Sequence, residues 1–152
     1  MTMINKKGEL LNKMLVLATE RHANQFDKSG QPYILHPLKV MYYCKTDDEE
    51  IQCIALAHDL VEDTNTTYSE LIEQGFTPRI IAGIKALTKV PGETYEEYKP
   101  RVKANPDAVQ VKMADLRHNT DIRRLKGVTD KDIKRMVKYN QFFMELKALV
   151  AK

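Results

Sequence analysis

A chain of 152 residues with 43% apolar and 30% charged side chains has the size and make-up of one ordinary globular domain with a hydrophobic core. No apolar run approaches the roughly 20 residues that cross a bilayer, which excludes a membrane-spanning helix. The net charge of +3 is uneven: residues 117–152 carry 10 basic against 4 acidic side chains, or +6. Asp121, Asp130 and Asp132 are scattered through that segment, so the expectation is a solvated helix surface, with nucleic acid not the expected partner. The opening stretch Met1–Gly8 has no apolar signal core, and a cytoplasmic protein is expected. Cys44 and Cys53 form no zinc-type pair and read as small buried hydrophobes.

Helical periodicity dominates and strand-like alternation is scarce. A first helix is expected from about Glu9 to Gln25, with Leu10, Met14, Leu17 and Ala18 on one face. Lys28-Ser-Gly-Gln-Pro32 is a turn-rich break. Pro37 suits the first turn of a second helix ending near Cys44. The acids Asp47–Glu50 belong at the start of a third, where the helix dipole favours negative charge. Thr67-Tyr-Ser-Glu70 and Thr94-Tyr-Glu-Glu97 are capping-box patterns, and Thr77-Pro78 opens another helix between them. A helix over 106–125, ended by Gly127, and a last one from Thr129 nearly to the C-terminus complete one all-α domain of about eight helices, with no repeat or linker.

Residues 58–64, His-Asp-Leu-Val-Glu-Asp-Thr, place an imidazole and three carboxylates at the end of an apolar run. On a continuous helix His58 and Glu62 share a face, as do Asp59 and Asp63. Burying such groups together costs several kcal/mol unless something compensates, and a divalent cation does so directly. His36 precedes the second helix, and Asp115 and Asn119 stand one turn apart on a largely apolar one. Singly, each has a plain explanation: His36 satisfied by backbone, Asp59 and Asp63 at the surface, Asp115 paired with Lys112 or Arg117. Together, two imidazoles and two carboxylates from three helices point to a metal site. His22 and His118 read as surface or packing residues.

Three stretches, Lys28-Ser-Gly-Gln-Pro-Tyr-Ile-Leu-His-Pro37, Ala55-Leu-Ala-His-Asp-Leu-Val-Glu-Asp-Thr64 and Lys112-Met-Ala-Asp-Leu-Arg-His-Asn119, resemble the HD-domain phosphohydrolases in motif, order and spacing. The resemblance is closer to the (p)ppGpp hydrolase domains of RelA/SpoT-type enzymes and the small alarmone hydrolases, and runs from roughly 15 to 125. It implies that residues 1–152 form a single HD-type domain, with His36, His58, Asp59 and Asp115 binding one metal, typically Mn²⁺. It implies too that Glu62 and Asp63 position and deprotonate the attacking water, and that Lys28, Tyr33 and Asn119 lie against a nucleotide substrate. Lys28 would counter phosphate charge.

Two departures stand out. The family often has an arginine before the lysine, placed to stack on guanine; here that position is Asp27, which offers no planar cation. Asp-Leu-Arg-His-Asn also replaces the common Asp-Arg-Leu-His-Asn. The expected activity is Mn²⁺-dependent removal of the 3′-pyrophosphate from (p)ppGpp. The same chemistry on ppApp or on the 2′-phosphate of NADPH is the first alternative, and a non-catalytic nucleotide- or RNA-binding module using the basic C-terminal segment is the second. Self-association, and a role neutralising an alarmone-producing toxin, stay open.

Overall fold

Polar side chains set where most helices begin. Asp48 accepts from the backbone of Glu50 and Ile51, Thr77 from Ile80, and Asn105 from Ala108. Thr67 and Thr129 form complete capping boxes with Glu70 and Asp132. Thr94 caps through its hydroxyl, but Glu97 bonds that hydroxyl and not the backbone, so only half of the predicted box forms. Each cap satisfies N–H groups that a helix start leaves unpaired, typically worth ~1 kcal/mol.

The protein, in a computed structural model describing residues 6–151, runs α1 (Glu9–Arg21), α2 (Leu35–Tyr43), α3 (Glu49–Ala57), α4 (Leu60–Asp63), α5 (Tyr68–Glu73), α6 (Pro78–Leu87), α7 (Tyr95–Lys103), α8 (Pro106–Asn119), a 3₁₀ turn (Ile122–Arg124) and α9 (Asp130–Val150). The residues 1–5 of the opening stretch lie outside this description. No strand occurs among the described residues, only an isolated bridge between Phe26 and Pro32. None of the described helices is long and apolar enough to cross a membrane.

Three boundaries differ from expectation. The first helix stops at Arg21, because Asn24 takes a left-handed conformation that asparagine tolerates and a helix interior does not. The apolar run through residue 57 does not continue as one helix: Asp59, at φ −122° and ψ 10°, breaks it, and α4 begins anew at Leu60. That break supplies the helix beyond the eight expected. The eighth α-helix ends at Asn119 and not near 125, giving way to the 3₁₀ turn.

Helix α3 is the centre of the bundle, packed on α1, α2, α6 and α8. Ile51, Cys53, Ile54, Ala55, Leu56 and Ala57 are all buried, so it is apolar nearly all round. Both cysteines are buried free thiols, and burial pushes each up to about 12. Helix α8 lies between α2 and α9, and this arrangement holds the start of α2, the end of α3 and the middle of α8 against one another.

The α3–α6 contact is closest at Gly83, where an added Cβ would lie 2.4 Å from Ile54 Cδ1 and 2.9 Å from Cγ1. Gly83→Ala gains about 1 kcal/mol of helix propensity but forces the fully buried Ile54 aside. We expect a net loss of about 1–3 kcal/mol in urea unfolding, as for other overpacked cores. Ile54→Val, which removes the offending Cδ1, should recover part of it in the double variant. A Gly83→Ala protein as stable as the parent would refute the close-packing argument.

Candidate metal centre

The break at His58–Asp59 is what lets both residues turn inward. His58 caps the end of α3 and its Nδ1 lies 2.7 Å from the Ala55 carbonyl, so Nδ1 carries the proton and Nε2 faces the centre. His36 does not stand ahead of α2 but is its second residue, buried, with Nε2 2.9 Å from Asp115 Oδ1. Asp115 enters from α8, and the same Oδ1 lies 3.3 Å from His58 Nε2. His36, His58 and Asp115 thus offer three ligand atoms within 4.8 Å of one another, all buried. Asp59 is not part of that tight trio; its Oδ2 is 3.7 Å from His58 Nε2.

The neighbours of these residues decide which atoms stay free. His36 Nδ1 is 2.7 Å from His118 Nδ1, the two rings stacked at 14°. Burial, with Arg124 and His36 adding to it, holds His118 down at about 4, so its imidazole is neutral. His118 accepts, His36 Nδ1–H donates, and the lone pair of His36 Nε2 is left pointing at the centre. Tyr33 donates its hydroxyl to Asp59 Oδ2. Asp59 Oδ1 and His22 Nε2 lie 3.4 Å apart without hydrogen-bond alignment, and both are buried without a partner. Lys112 donates to Asp115 Oδ2 at 2.9 Å, and Asn119 Nδ2 to Oδ1 at 3.0 Å.

These contacts set the charges. Burial works against ionising Asp115, but Lys112 and His58 outweigh it and hold the carboxyl well below its usual range. Burial likewise opposes the charge on Asp59, where His58, His22 and Tyr33 prevail and lower it. His58 is raised to about 9 despite its burial, because Asp59 and Asp115 flank it. A proton on His58 thus supplies positive charge that the cluster needs. The donor set fits a divalent cation on the same grounds, since a cation would take the place of that proton: two imidazole Nε2 atoms and one carboxylate oxygen converge, and Asp59 Oδ1 is unpaired beside them. Oxygen and nitrogen donors without thiolate suit Mn²⁺, zinc or iron.

Glu62 and Asp63 follow on α4 and line a cavity of about 280 Å³ together with Tyr33, His36, His58, Asp59, Asp115 and Asn119. Burial first, and the neighbouring acid second, raise both carboxyls: Asp63 beside Glu62, Asp59 beside Asp63. The helix expected to carry all four is interrupted at Asp59, yet His58, Asp59, Glu62 and Asp63 still face one cavity, and the Asp63 N–H donates to the Asp59 carbonyl at 2.9 Å.

A second cavity of about 420 Å³ adjoins the first, sharing Tyr33, Asn119 and Tyr139 and adding Lys28, Arg124 and Arg135. Lys28 is mostly exposed, 4.0 Å from Asp132. Asp27 serves its own loop: Oδ1 accepts from the backbone of Ser29 and Gln31, both at 2.9 Å, and Oδ2 lies 3.6 Å from Arg124. Arg124 in turn donates to Asn119 Oδ1 at 3.1 Å. Asn119 and Tyr33 therefore line the cavities while each has a polar atom bound to a candidate ligand.

Sequence reasoning passed over several of these residues. His22 and His118 are not surface or simple packing residues but buttress Asp59 and His36. Arg124 and Arg135, read as solvated surface, are half-buried along the second cavity, while Lys138 is exposed as expected but borders the first. Asp115 pairs with Lys112, whereas Arg117 stacks 3.9 Å over Tyr43. A spacing of three between Lys112 and Asp115 signalled that pair; nothing in the sequence signalled the His118–His36 contact, which joins α8 to α2.

An all-α bundle that brings His36, His58 and Asp115 to one buried point, with Asp59 beside them, defines a class of helical scaffold with a candidate cation site at its heart. The family model described as "HD domain" matches residues 15–126, and the chain belongs to the HD-domain family. It is 33% identical over 122 residues to an Aquifex aeolicus protein named guanosine-3′,5′-bis(diphosphate) 3′-pyrophosphohydrolase, covering 74% of this chain and 17% of that one. It is 36% identical over 137 residues to the Brucella ovis GTP pyrophosphokinase rsh, covering 81% and 18%. A Danio rerio protein named guanosine-3′,5′-bis(diphosphate) 3′-pyrophosphohydrolase MESH1 is 39% identical over 115 residues, covering 67% and 62%. The chain thus spans less than a fifth of the Aquifex and Brucella relatives. A solved structure described as a metazoan ortholog of SpoT that hydrolyzes ppGpp has the same fold, with a TM-score of 0.75 at 22% identity over 94% of this chain and 88% of that one.

If His118 fixes the tautomer of His36, His118→Phe keeps the stacked ring and removes the acceptor. Affinity for a divalent ion, titrated by calorimetry, should fall about 10–100-fold, as for other residues that orient a ligand. Unchanged affinity would assign the orientation of His36 to other contacts.

Proposed function

We propose that residues 1–152 form a single HD-type domain that is a Mn²⁺-dependent (p)ppGpp 3′-pyrophosphohydrolase of the cytoplasm. The observation that carries this reading is the convergence of His36, His58 and Asp115, with Asp59 beside them, in a cavity also lined by two carboxyls of raised pKa. Relatives whose names state this activity support it. In the proposed assignment His36, His58, Asp59 and Asp115 hold one metal ion.

A bound divalent cation supplies charge to the phosphoryl oxygens and lowers the pKa of water towards neutrality. The residues of the chain do the rest. Glu62, with Asp63, accepts the proton of a water that attacks the phosphorus bonded to the ribose 3′-oxygen. Burial, with Asp63 acting on Glu62 and Asp59 on Asp63, raises the affinity of these carboxyls for a proton, which brings them nearer to the working pH of a base. The phosphorus–oxygen bond to the ribose breaks, the 3′-oxygen takes up a proton, and pyrophosphate leaves with the oxygen of the water. Lys28 and Arg124 lie in the adjoining cavity, where they would face the nucleoside and its 5′-phosphates.

Glu62→Gln should keep the metal and lose about 10²–10⁴ in rate on ppGpp, since only proton handling is removed. Metal content and release of pyrophosphate, measured on one preparation, check both halves. A variant of unchanged rate would take the base role from Glu62.

A second reading, with the same chemistry on ppApp or on the 2′-phosphate of NADPH, is favoured by Asp27 standing where the family often has a base-stacking arginine. Asp27, however, caps its own loop and neighbours Arg124. Asp27→Arg should therefore lower activity towards ppGpp and ppApp alike, not convert the enzyme to guanine. A selective gain on ppGpp in parallel assays would show instead that position 27 reads the base.

A further inference from the structure

We propose that Lys89, Lys138 and the hydroxyl of Tyr95 form an anion subsite on the metal cavity, which receives the terminal phosphoryl group of a diphosphate and makes the chain select diphosphate over monophosphate substrates. The inference rests on the hydrolase reading above and adds to it the length of the phosphate chain that the site is built to hold.

Six lysines and arginines line the two cavities: Lys28, Lys89, Lys112, Arg124, Arg135 and Lys138. Four already have a carboxylate. Lys112 has Asp115 at 2.9 Å, Arg135 has Asp132 at 2.6 Å, Arg124 has Asp27 at 3.6 Å, and Lys28 has Asp132 at 4.0 Å. Lys89 and Lys138 form no such pair within 4.0 Å among the described residues, although Lys89 lies near enough to Glu62 and Glu93 to exert a lowering pull on both carboxyls. Both lysines are exposed at the mouth of the metal cavity. Neither ammonium is held in a direct ion pair, so each can turn to a ligand.

Tyr95 supplies an independent observation. It lines the same cavity, and its hydroxyl is buried with no hydrogen-bond partner, a costly state for a polar group unless a ligand completes it. Neighbouring Tyr98, by contrast, donates to the Leu87 carbonyl. Lys138 Nζ sits 4.1 Å over the Tyr95 ring, which holds the ammonium against the same side chain without neutralising it. The three groups come from three separate segments: Lys89 from the loop after α6, Tyr95 from the start of α7, and Lys138 from α9.

The position along the cavity fixes the ligand. Tyr33, Asn119 and Tyr139 open towards the second cavity, where Phe26 and Leu125 offer apolar surface and Lys28, Arg124 and Arg135 offer charge. Of these two cavities, Lys89, Tyr95 and Lys138 line the first and not the second. A nucleotide whose base enters the second cavity and whose reacting phosphorus lies at the histidine–aspartate cluster would extend a further phosphoryl group towards these lysines. Two ammonium groups and one hydroxyl donor match a terminal phosphoryl with its three oxygens. A single phosphate at the cluster leaves the subsite without its ligand.

The test uses the full chain carrying Glu62→Gln, so that bound nucleotide survives, with Mn²⁺ in excess over all phosphate. Equilibrium dialysis compares guanosine 3′,5′-bis(diphosphate) with guanosine 5′-diphosphate 3′-monophosphate, and inorganic pyrophosphate with orthophosphate. We expect the diphosphate member of each pair to bind at least about tenfold more tightly, and the Lys89→Gln/Lys138→Gln protein to cut that ratio to about threefold or less by weakening only the diphosphates. Tyr95→Phe should lower the ratio in the same direction. Both lysines are exposed, and circular dichroism will verify that the variants fold. A ratio untouched by the double substitution, or an equal loss for both members of a pair, overturns the subsite while leaving the hydrolase reading standing if the parent enzyme turns over ppGpp. Lysine-dependent preference for pyrophosphate in a protein that binds neither nucleotide sustains the subsite and removes the nucleotide reading.

Discussion

The carboxylate of Asp115 is the constraint around which the centre is arranged. It is an almost fully buried anion, and such a group is tolerated only when its oxygens are matched by donors. Lys112 and Asn119 donate to it from its own helix, one turn before and one turn after; His36 and His58 bring their Nε2 atoms beside it from α2 and α3, where a protonated His58 adds positive charge. The first two contacts are local and come with the helix. The other two require the whole bundle to close, so packing of α2 and α3 on α8 and assembly of the site are the same event. Removing Lys112 or Asp115 alone would leave an unpaired charge in the interior, a larger cost than the pair's net gain.

Around that anion the protein fixes imidazole orientation by indirect contacts. Ala55 offers a carbonyl to His58, and His118 offers a ring nitrogen to His36. Both leave Nε2 towards the centre. On the other side, Gln25 lies 2.8 Å from His22 Nδ1 and donates to the carbonyl of Asp63, while His22 faces Asp59. The C-terminal end of α1 is thereby tied to both α4 and the candidate ligand. Loss of helicity at Arg21 is the condition for this, because a helix continued to Gln25 would carry these side chains around its axis and away from α4.

Much of this was legible in the sequence, and the reason is local. Helix starts were read from threonine, aspartate and asparagine caps, which act within three residues, and those starts recur in the structure within a residue or two. His36, His58, Asp59 and Asp115 stood out as polar groups in or beside apolar runs, and the resemblance to the HD-domain phosphohydrolases is what joined them into one set. What escaped were contacts made only by tertiary approach. The histidine pair joins residues 82 positions apart, and no periodicity encodes it. The break at Asp59 was hidden because the residues around it, Ala-Leu-Ala before and Leu-Val-Glu after, are all compatible with helix; its turn inward is set by Tyr33 and His22, not by propensity. The basic segment 117–152 looked uniform in composition, yet its members divide by helix face into solvent and cavity.

That division bears on what kind of ligand the chain can hold. Net charge alone would favour any polyanion, which is why +6 over the last 36 residues says little about a ligand. Once pairing is counted, the balance changes: Arg124 and Arg135 are held by Asp27 and Asp132, so that their guanidinium planes are fixed in place and partly neutralised. Fixed, partly neutralised cations suit orientation of a ligand more than long-range attraction. Asp27 then need not be a defect in the site. Its carboxylate shapes the 27–31 loop and abuts Arg124, which itself bonds Asn119 and through it reaches Asp115. A continuous polar path therefore links the second cavity to the buried centre, and the acid at position 27 is its outermost member.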